Sequence, residues 1–184
     1  EKGFFEEVNK KKLPFLPKKI GVITSPTGSV IHDIINRVKD RFPTDIDIWP
    51  VAVQGINAAE NIIEAIKGFN GDFFPGKPDV IIIARGGGSI EDLMPFNDEK
   101  LAIVVYHSII PVVTAIGHET DTTIIDYVSD LRASTPTAAA EKVVPMRSEL
   151  SQLILNLSNR LNYCIGNKFA NMSSELLSLT RFLK

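Results

Sequence analysis

Cysteine is almost absent from this sequence, since Cys164 is the only one among 184 residues. One thiol can form neither an internal disulfide nor a cysteine-rich metal site, so we expect a reducing, cytoplasmic compartment. No apolar run reaches the roughly 18 residues of a membrane span, and residues 1–12 lack the apolar stretch of a signal peptide. We therefore expect no membrane association. The chain begins without Met and stops within a helical pattern at Lys184, so we expect a fragment of a longer protein.

Net charge is also small, −2 at pH 7, which by itself argues against a nucleic-acid-binding protein. The distribution is uneven, however. Residues 85–130 contain two basic and eight acidic residues, whereas residues 131–184 contain seven basic and three acidic ones. Basic segments can bind a polyanion, and acidic clusters can bind a metal or transfer protons. Solvated surface charge is the simpler explanation for most of these residues.

Short apolar runs alternate with helical patterns along most of the chain. The runs predict four strands, at residues 18–24, 46–53, 79–84 and 110–115. Helical spacing of apolar residues follows at 30–42, 57–69, 98–107 and 122–128. Asn57 and Thr135 are predicted N-caps, with Pro136 opening a further helix. Pro50 favours an edge position or a bulge for the second strand. The alternation predicts an α/β fold, a Rossmann-like parallel sheet covered by helices.

In such sheets, ligands bind outside the carboxyl ends of the strands. The predicted loops at that edge begin at Ser25, Gln54, Arg85 and Gly117. Three of the four loops carry unusual residues, and this shared position is the reason to group them into one site.

Arg85 precedes three glycines and a serine. Glycines bring backbone N–H groups close to a ligand, and arginine offers a bidentate charge to phosphate. The predicted phosphate-binding residues of the first and third loops are Ser25, Thr27, Gly28, Gly86, Gly87, Gly88 and Ser89. A tight turn with a surface arginine is the alternative. The pattern is neither G-x-G-x-x-G nor a Walker motif, so dinucleotide and Walker-type nucleotide sites lose support.

His118, Glu119 and Asp121 place an imidazole and two carboxylates just after the fourth strand. Histidine is the natural general acid or base near neutral pH, and a carboxylate three residues later can orient it or hold a cation. The alternative is that His118 packs and Glu119 caps the next helix. Proximity to the Arg85 loop favours the functional interpretation, and the absence of H-E-x-x-H excludes a zincin.

Two further groups of polar residues are weaker candidates. His32 and Asp33 lie in the first turns of a helix whose N-terminus favours anions, although Asp33 can simply complement the helix dipole. Four acidic residues are predicted as caps or surface charges, with a metal site as the minority interpretation: Glu91, Asp92, Asp98 and Glu99.

The C-terminal segment has a different pattern, a long apolar stripe in steps of three and four. Its members are Leu150, Ile154, Leu157, Leu161, Ile165, Phe169, Met172, Leu176, Leu179 and Leu183. The spacing predicts one long helix with a straight or weakly right-handed stripe. A small α/β domain covers at most the first turns, so we expect a partner helix or a second copy of this chain.

Several motifs, taken together and in this order, resemble the large-subunit family of bacterial exodeoxyribonuclease VII. They are Gly21-Val22-Ile23-Thr24-Ser25-Pro26-Thr27-Gly28 with His32-Asp33, Arg85-Gly86-Gly87-Gly88-Ser89-Ile90-Glu91-Asp92-Leu93 and Phe96-Asn97-Asp98-Glu99. Further along are Ile110-Pro111-Val112-Val113, Gly117-His118-Glu119-Thr120-Asp121, Asp130-Leu131-Arg132-Ala133 and Thr135-Pro136-Thr137-Ala138-Ala139-Ala140-Glu141. The resemblance covers residues 18 to about 145. The family usually has Trp where Met94 stands, and often Pro at the position of Ser134.

The resemblance implies a division of the chain and an activity. Residues 1–17 would be a linker from an OB-fold that precedes them in the family, residues 18–145 the catalytic domain, and residues 146–184 part of a long assembly helix. The implied activity is exonucleolytic hydrolysis of single-stranded DNA from either end, giving oligonucleotides and then 5′-phosphomononucleotides. The implied partner is the family's small helical subunit.

The resemblance also implies the catalytic residues Asp33, Arg85, His118 and Asp121. It implies no strictly required metal, with Mg²⁺ as a possible addition, so we expect no metal ligand. Two alternatives stay open from the residues alone. One is a non-catalytic single-strand-binding or assembly module whose Arg85 loop grips phosphate, and the other is a phosphotransferase with His118 as nucleophile.

Overall fold

The computed structural model describes residues 3–71 and 76–182, with side chains as far as residue 181. Glu1, Lys2 and Leu183, on which parts of the predictions fall, lie outside the described residues. The chain divides into two compact units, Glu1–Pro145 and Met146–Lys184.

Within the described residues, five strands form one parallel sheet in the order β2-β1-β3-β4-β5. The strands are β1 (Lys19–Thr24), β2 (Asp45–Pro50), β3 (Val80–Arg85), β4 (Val112–Ile116) and β5 (Leu131–Arg132). The predicted parallel sheet is confirmed, and β2 lies at an edge, which is one of the two alternatives that Pro50 indicated. Two differences stand out. The two-residue strand β5 is too short to show an apolar pattern in the sequence. Arg85 is the last residue of β3 and is buried, rather than the first residue of a surface loop.

Helices connect the strands and cover both faces of the sheet. They are α1 (Ser29–Arg41), α2 (Ala58–Asn70), α3 (Ile90–Leu93), α4 (Glu99–His107), α5 (Ile124–Val128) and α6 (Pro136–Val143). The predicted cap at Thr135 is confirmed, because its hydroxyl accepts the Ala138 N–H at 3.1 Å and Pro136 follows it. Asn57 occupies the N-cap position of α2 but makes no capping side-chain hydrogen bond.

The core lies on the two faces of the sheet because strand residues alternate in direction. On one face Ile23, Ile81 and Ile83 pack with residues of α2, α4 and α5. On the other face Val22 and Ile82 pack with residues of α1 and α6. All six residues of β3 are buried, which agrees with its uninterrupted apolar sequence from Val80 to Ala84.

The N-terminal segment, predicted as a linker, is part of the first unit and packs on the rest of it through Phe4 and Lys11. The rings of Phe4 and Tyr106 are 4.4 Å apart. The backbone N–H of Lys11 donates to the carboxylate of Asp130 at 2.6 Å, and the other oxygen of that carboxylate accepts the Val112 N–H at 2.7 Å. This carboxylate therefore joins the N-terminal segment to the start of β4.

The second unit consists of α7 (Arg147–Phe182), a helix of 36 residues. The predicted long helix is confirmed, and the apolar stripe from Ile154 to Leu179 is exposed along its length. Exposed apolar residues repeated over so many turns are typical of a helix that binds another helix. Among the described residues, no helix is both long enough and apolar enough to cross a membrane.

The strand order places a crevice at the carboxyl edge of the sheet. The chain passes from β1 outward to β2, returns past β1 to β3, and then continues to β4 and β5. The direction of the connections therefore reverses between β1 and β3, and parallel sheets bind ligands at such a reversal. The loops after β1 and β3 are the ones that carry the Ser25 and Arg85 motifs.

Candidate active site

A cleft of about 430 Å³ lies at this reversal, and we call it the switch-point cleft. Its lining comes from the carboxyl ends of β1, β2 and β3 and from the start of α1. The lining residues are Thr24, Ser25, Gly28, Ser29, Val30, Ala52, Val53, Gln54, Arg85, Gly86 and Gly87. The strand order therefore brings together Arg85 and four of the seven residues predicted to bind phosphate.

The remaining three lie beside the cleft. The Thr27 hydroxyl is 3.3 Å from the Ser25 hydroxyl. Gly88 lies against the Arg85 guanidinium so closely that a Cβ there would meet the Nη1 atom. Ser89 occupies the N-cap position of α3. The pKa of Glu91 is lowered mainly because its carboxylate accepts a hydrogen bond from its own backbone N–H, and to a smaller extent because it accepts one from the Ser89 hydroxyl.

The guanidinium of Arg85 is held by three acceptors. Nη1 donates to the Gly86 carbonyl at 2.8 Å, and Nη2 donates to Gln54 Oε1 at 3.3 Å and to Asp92 Oδ2 at 3.0 Å. The arginine side chain is 6% exposed, whereas that of Asp92 is 40% exposed. Because a buried cation without a partner is costly, the Asp92 carboxylate compensates the charge of Arg85 at the edge of the cleft.

Asp92 and Gln54 hold the Arg85 guanidinium, and sequence reasoning assigned neither of them to the candidate site. The sequence predicts Asp92 as a cap or a surface charge, and it places the Gln54 loop at the carboxyl edge of the sheet without a role. The signal that could have identified both residues is their position in the chain. Each follows the carboxyl end of a strand, and these strand ends converge on Arg85. That convergence depends on the order of the strands, which the sequence pattern does not specify.

His118 and Asp121 lie on a tight turn after β4, which we call the histidine turn (residues 117–121). The backbone N–H of His118 donates to Asp121 Oδ2 at 2.8 Å, and the imidazole Nδ1 is 3.5 Å from the same oxygen. This backbone hydrogen bond is the main cause that lowers the pKa of Asp121, opposed by burial and assisted by the nearby imidazole. Asp121 is therefore ionised at neutral pH, and its contribution to the turn is lost as the pH falls through the lowered pKa.

The histidine turn meets the loop after β3 through Gly87. A Cβ on Gly87 would lie 2.0 Å from His118 Cε1, so glycine at this position is what lets the imidazole lie against the loop. The imidazole itself remains 71% exposed. A proton-transfer group that is exposed, beside a carboxylate, and adjacent to the switch-point cleft can act on a phosphodiester bound there.

Asp33 stands apart from this group. It is exposed on α1, does not line the switch-point cleft, and makes no side-chain hydrogen bond or ion pair within residues 3–71 and 76–181. Arg37 pairs with Glu141 at 3.3 Å one turn later, so Asp33 lies on the side of α1 that faces α6. The structure thus groups Arg85, His118 and Asp121 closely and leaves Asp33 at the periphery.

Gly117 makes the histidine turn possible, and its replacement should destabilise the protein. Its φ is +66°, and a Cβ would lie 2.4 Å from Asp121 Oδ2. Gly117→Ala should therefore lower the free energy of unfolding by about 1–2 kcal/mol, the cost of a left-handed conformation for alanine, before Asp121 is displaced. Gly28→Ala is the control, since Gly28 has a φ of −81° and its Cβ would have 3.9 Å of clearance. Equal denaturation midpoints for the two variants would contradict this account.

Within the part of the chain that the structure describes, no group of three or more His, Cys, Asp or Glu side chains is arranged to hold a metal ion.

The fold and the cleft define a class of parallel α/β proteins whose ligand site lies where the strand order reverses. Comparison with known proteins is more specific. The model of the family "Exonuclease VII, large subunit" matches residues 4–184. This chain belongs to that family, as the sequence motifs predicted.

Curated relatives that are similar to this chain in sequence carry one name in common. The exodeoxyribonuclease 7 large subunit of Anaplasma phagocytophilum is 67% identical over 148 residues, which are 80% of this chain and 37% of that protein. The protein of the same name from Bartonella quintana is 50% identical over 186 residues, covering 100% of this chain and 39% of the relative. That of Rhodospirillum centenum is 52% identical over 185 residues, covering 98% and 35%. The chain thus spans less than half the length of these relatives.

Proposed function

We propose that this chain carries the hydrolytic site of an exonuclease that cleaves phosphodiester bonds of single-stranded DNA. Degradation from either end would give oligonucleotides and then 5′-phosphomononucleotides, in the cytoplasm. The observation that carries the proposal is the contact of His118, itself beside Asp121, with Gly87 at the rim of the switch-point cleft. The names of the relatives support the same activity.

The proposed roles follow from position and chemistry. Arg85 and the backbone N–H groups of Gly86–Gly88 stabilise the charge that develops on the scissile phosphate. His118 transfers a proton to or from water or the leaving 3′-oxygen, and Asp121 orients its imidazole. Asp33, at the periphery, positions water or a cation. The reaction breaks one P–O bond and forms another from water, so no oxidant or cosubstrate is needed.

The direct test is an assay of the full-length protein with its small-subunit partner on a labelled single strand. We expect progressive release of short products from the single strand, little from the matched duplex, and persistence of activity in a chelator. Abolition by chelator would show that a divalent metal is required, against the expectation of no strict cofactor. Binding of the strand without any product would favour the alternative of a non-catalytic binding module, and a trapped phosphohistidine at His118 would favour a phosphotransferase.

The exposed stripe of α7 is the proposed assembly surface for the small subunit, or for a second copy of this chain when that subunit is lacking. Leu157→Asp with Leu161→Asp should abolish association, because two charges would be buried in an apolar helix contact. The matched control is Gln152→Asp with Asn156→Asp, which adds the same charge at the same spacing on the opposite face of the helix.

Light scattering measures the outcome of this substitution. The mass of the assembly should fall for the leucine variant and stay constant for the control, while thermal unfolding of the α/β unit is the same for both. An unchanged mass for the leucine variant would remove the stripe as the assembly surface.

A further inference from the structure

Arg132 connects the short strand β5 to the histidine turn. Its Nη2 donates to the carbonyl oxygens of Glu119 and Asp121, both at 2.8 Å. Strand β5 pairs with β4 at the level of Thr114, so the arginine reaches the turn from the neighbouring strand. Residues 118–120 are exposed, and the two carbonyl groups would otherwise depend on solvent for their hydrogen bonds.

The environment of this arginine differs from that of Arg85. Arg85 has Asp92 at 3.0 Å, whereas in residues 3–71 and 76–181 no carboxylate lies within 4.0 Å of the Arg132 guanidinium. A half-buried arginine loses solvation that an ion pair can replace, whereas Arg132 replaces it through main-chain carbonyls. The contacts of Arg132 are therefore directed at the backbone of one particular segment, the one that carries His118 and Asp121.

We propose that Arg132 is a positioning residue that fastens the histidine turn so that the His118 imidazole stays against Gly87. This inference rests on the proposed nuclease function. Of the two carbonyls that Arg132 holds, that of Glu119 lies on the backbone between His118 and Asp121, and the other belongs to Asp121 itself. Fixing that backbone fixes the separation between His118 Nδ1 and Asp121 Oδ2, which is 3.5 Å. Without Arg132 the turn remains closed by its own hydrogen bonds but is no longer tied to β5.

A positioning role predicts a particular kinetic result. Misplacement of a catalytic group by about 1 Å can cost about 10²-fold in rate, so Arg132→Ala should lower kcat by about 10–100-fold in the full-length complex. KM for the single strand should stay within about twofold, because the residue acts through His118 rather than through the substrate. Arg132→Lys should recover part of the lost kcat, since an ammonium group can still donate to a carbonyl. Added guanidinium ion at low millimolar concentration should raise the kcat of Arg132→Ala.

The matched control is Arg37→Ala, which removes a partly exposed arginine paired with Glu141 on another part of the domain. This variant should leave kcat and KM unchanged. A raised KM with unchanged kcat for Arg132→Ala would overturn the proposal and indicate that Arg132 binds phosphate directly. Unchanged values of both constants would overturn it as well.

A second readout does not depend on nuclease activity. His118 is one of three histidines in this sequence, with His32 and His107, and its imidazole signals in the labelled full-length protein are assigned by comparison with His118→Gln. Arg132→Ala should shift the His118 signals towards those of a free imidazole and leave the other two in place. If the His118 signals are unchanged in a folded Arg132→Ala variant, the positioning role is wrong, whether or not the wild-type complex is active. If the signals shift but the wild-type complex is inactive, only the nuclease function is contradicted. Should Arg132→Ala fail to fold, the same measurements on Arg132→Lys decide.

Discussion

His118→Ala should lower the rate of single-strand cleavage by about 10²–10⁴, the usual effect of losing a general acid or base. The imidazole is exposed, so its removal leaves no cavity in the core and should not alter the stability of the fold. The measurement is single-turnover cleavage by the full-length complex. His107→Ala is the matched control, because it removes an exposed histidine at the end of α4, and its rate should equal that of the wild type.

The same experiment extends to Asp121 through a double-mutant cycle. If Asp121 acts through His118, the loss in His118→Ala with Asp121→Asn should be much smaller than the product of the two single effects. Asparagine is preferred to alanine here because it retains an oxygen that can accept the His118 N–H and preserve the turn. Independent, multiplicative effects would instead assign Asp121 a separate role such as holding a cation. A wild-type rate in His118→Ala would remove the imidazole from the mechanism.

Arg85→Ala should lower turnover by about 10²–10³, the typical effect of losing one electrostatic donor to the transition state. DNA affinity should change much less. The substitution also affects stability, because the guanidinium is buried and its removal leaves three acceptors without their donor. These acceptors are Gly86 O, Gln54 Oε1 and Asp92 Oδ2. Stability must therefore be measured alongside turnover, and a loss of about 1–3 kcal/mol in the free energy of unfolding is expected for a broken buried network.

Two companion variants separate the catalytic effect from the structural one. Arg85→Lys keeps the charge but loses the forked geometry, so it should retain more stability than alanine while remaining poor in turnover. Asp92→Asn keeps an acceptor for Arg85 without the charge, so it measures how much of the loss in stability comes from the ion pair alone. If strand affinity collapses in Arg85→Ala while turnover per bound strand is kept, Arg85 is a binding residue and the catalytic assignment is wrong.

Several elements of the fold were predictable because their signals are local. The continuous apolar run of β3 indicated burial on both faces, and Thr135 with Pro136 indicated the start of α6. Pro50 indicated an edge position or a bulge for β2, and the strand lies at an edge. The short elements α3 and β5 were not predictable, since four and two residues carry too little periodicity and are stabilised by packing against their neighbours.

By itself, the sequence determined the parallel α/β fold, the long helix with its apolar stripe, and the residue types at the carboxyl edge of the sheet. These follow from periodicity and from turn chemistry, which depend on residues close together in the chain. The tertiary structure decided that Arg85 pairs with Asp92, that His118 lies against Gly87, and that Arg132 reaches the histidine turn. These contacts join separate loops and strands. Their geometry depends on strand order and on the close approach that glycine permits, neither of which a linear pattern contains.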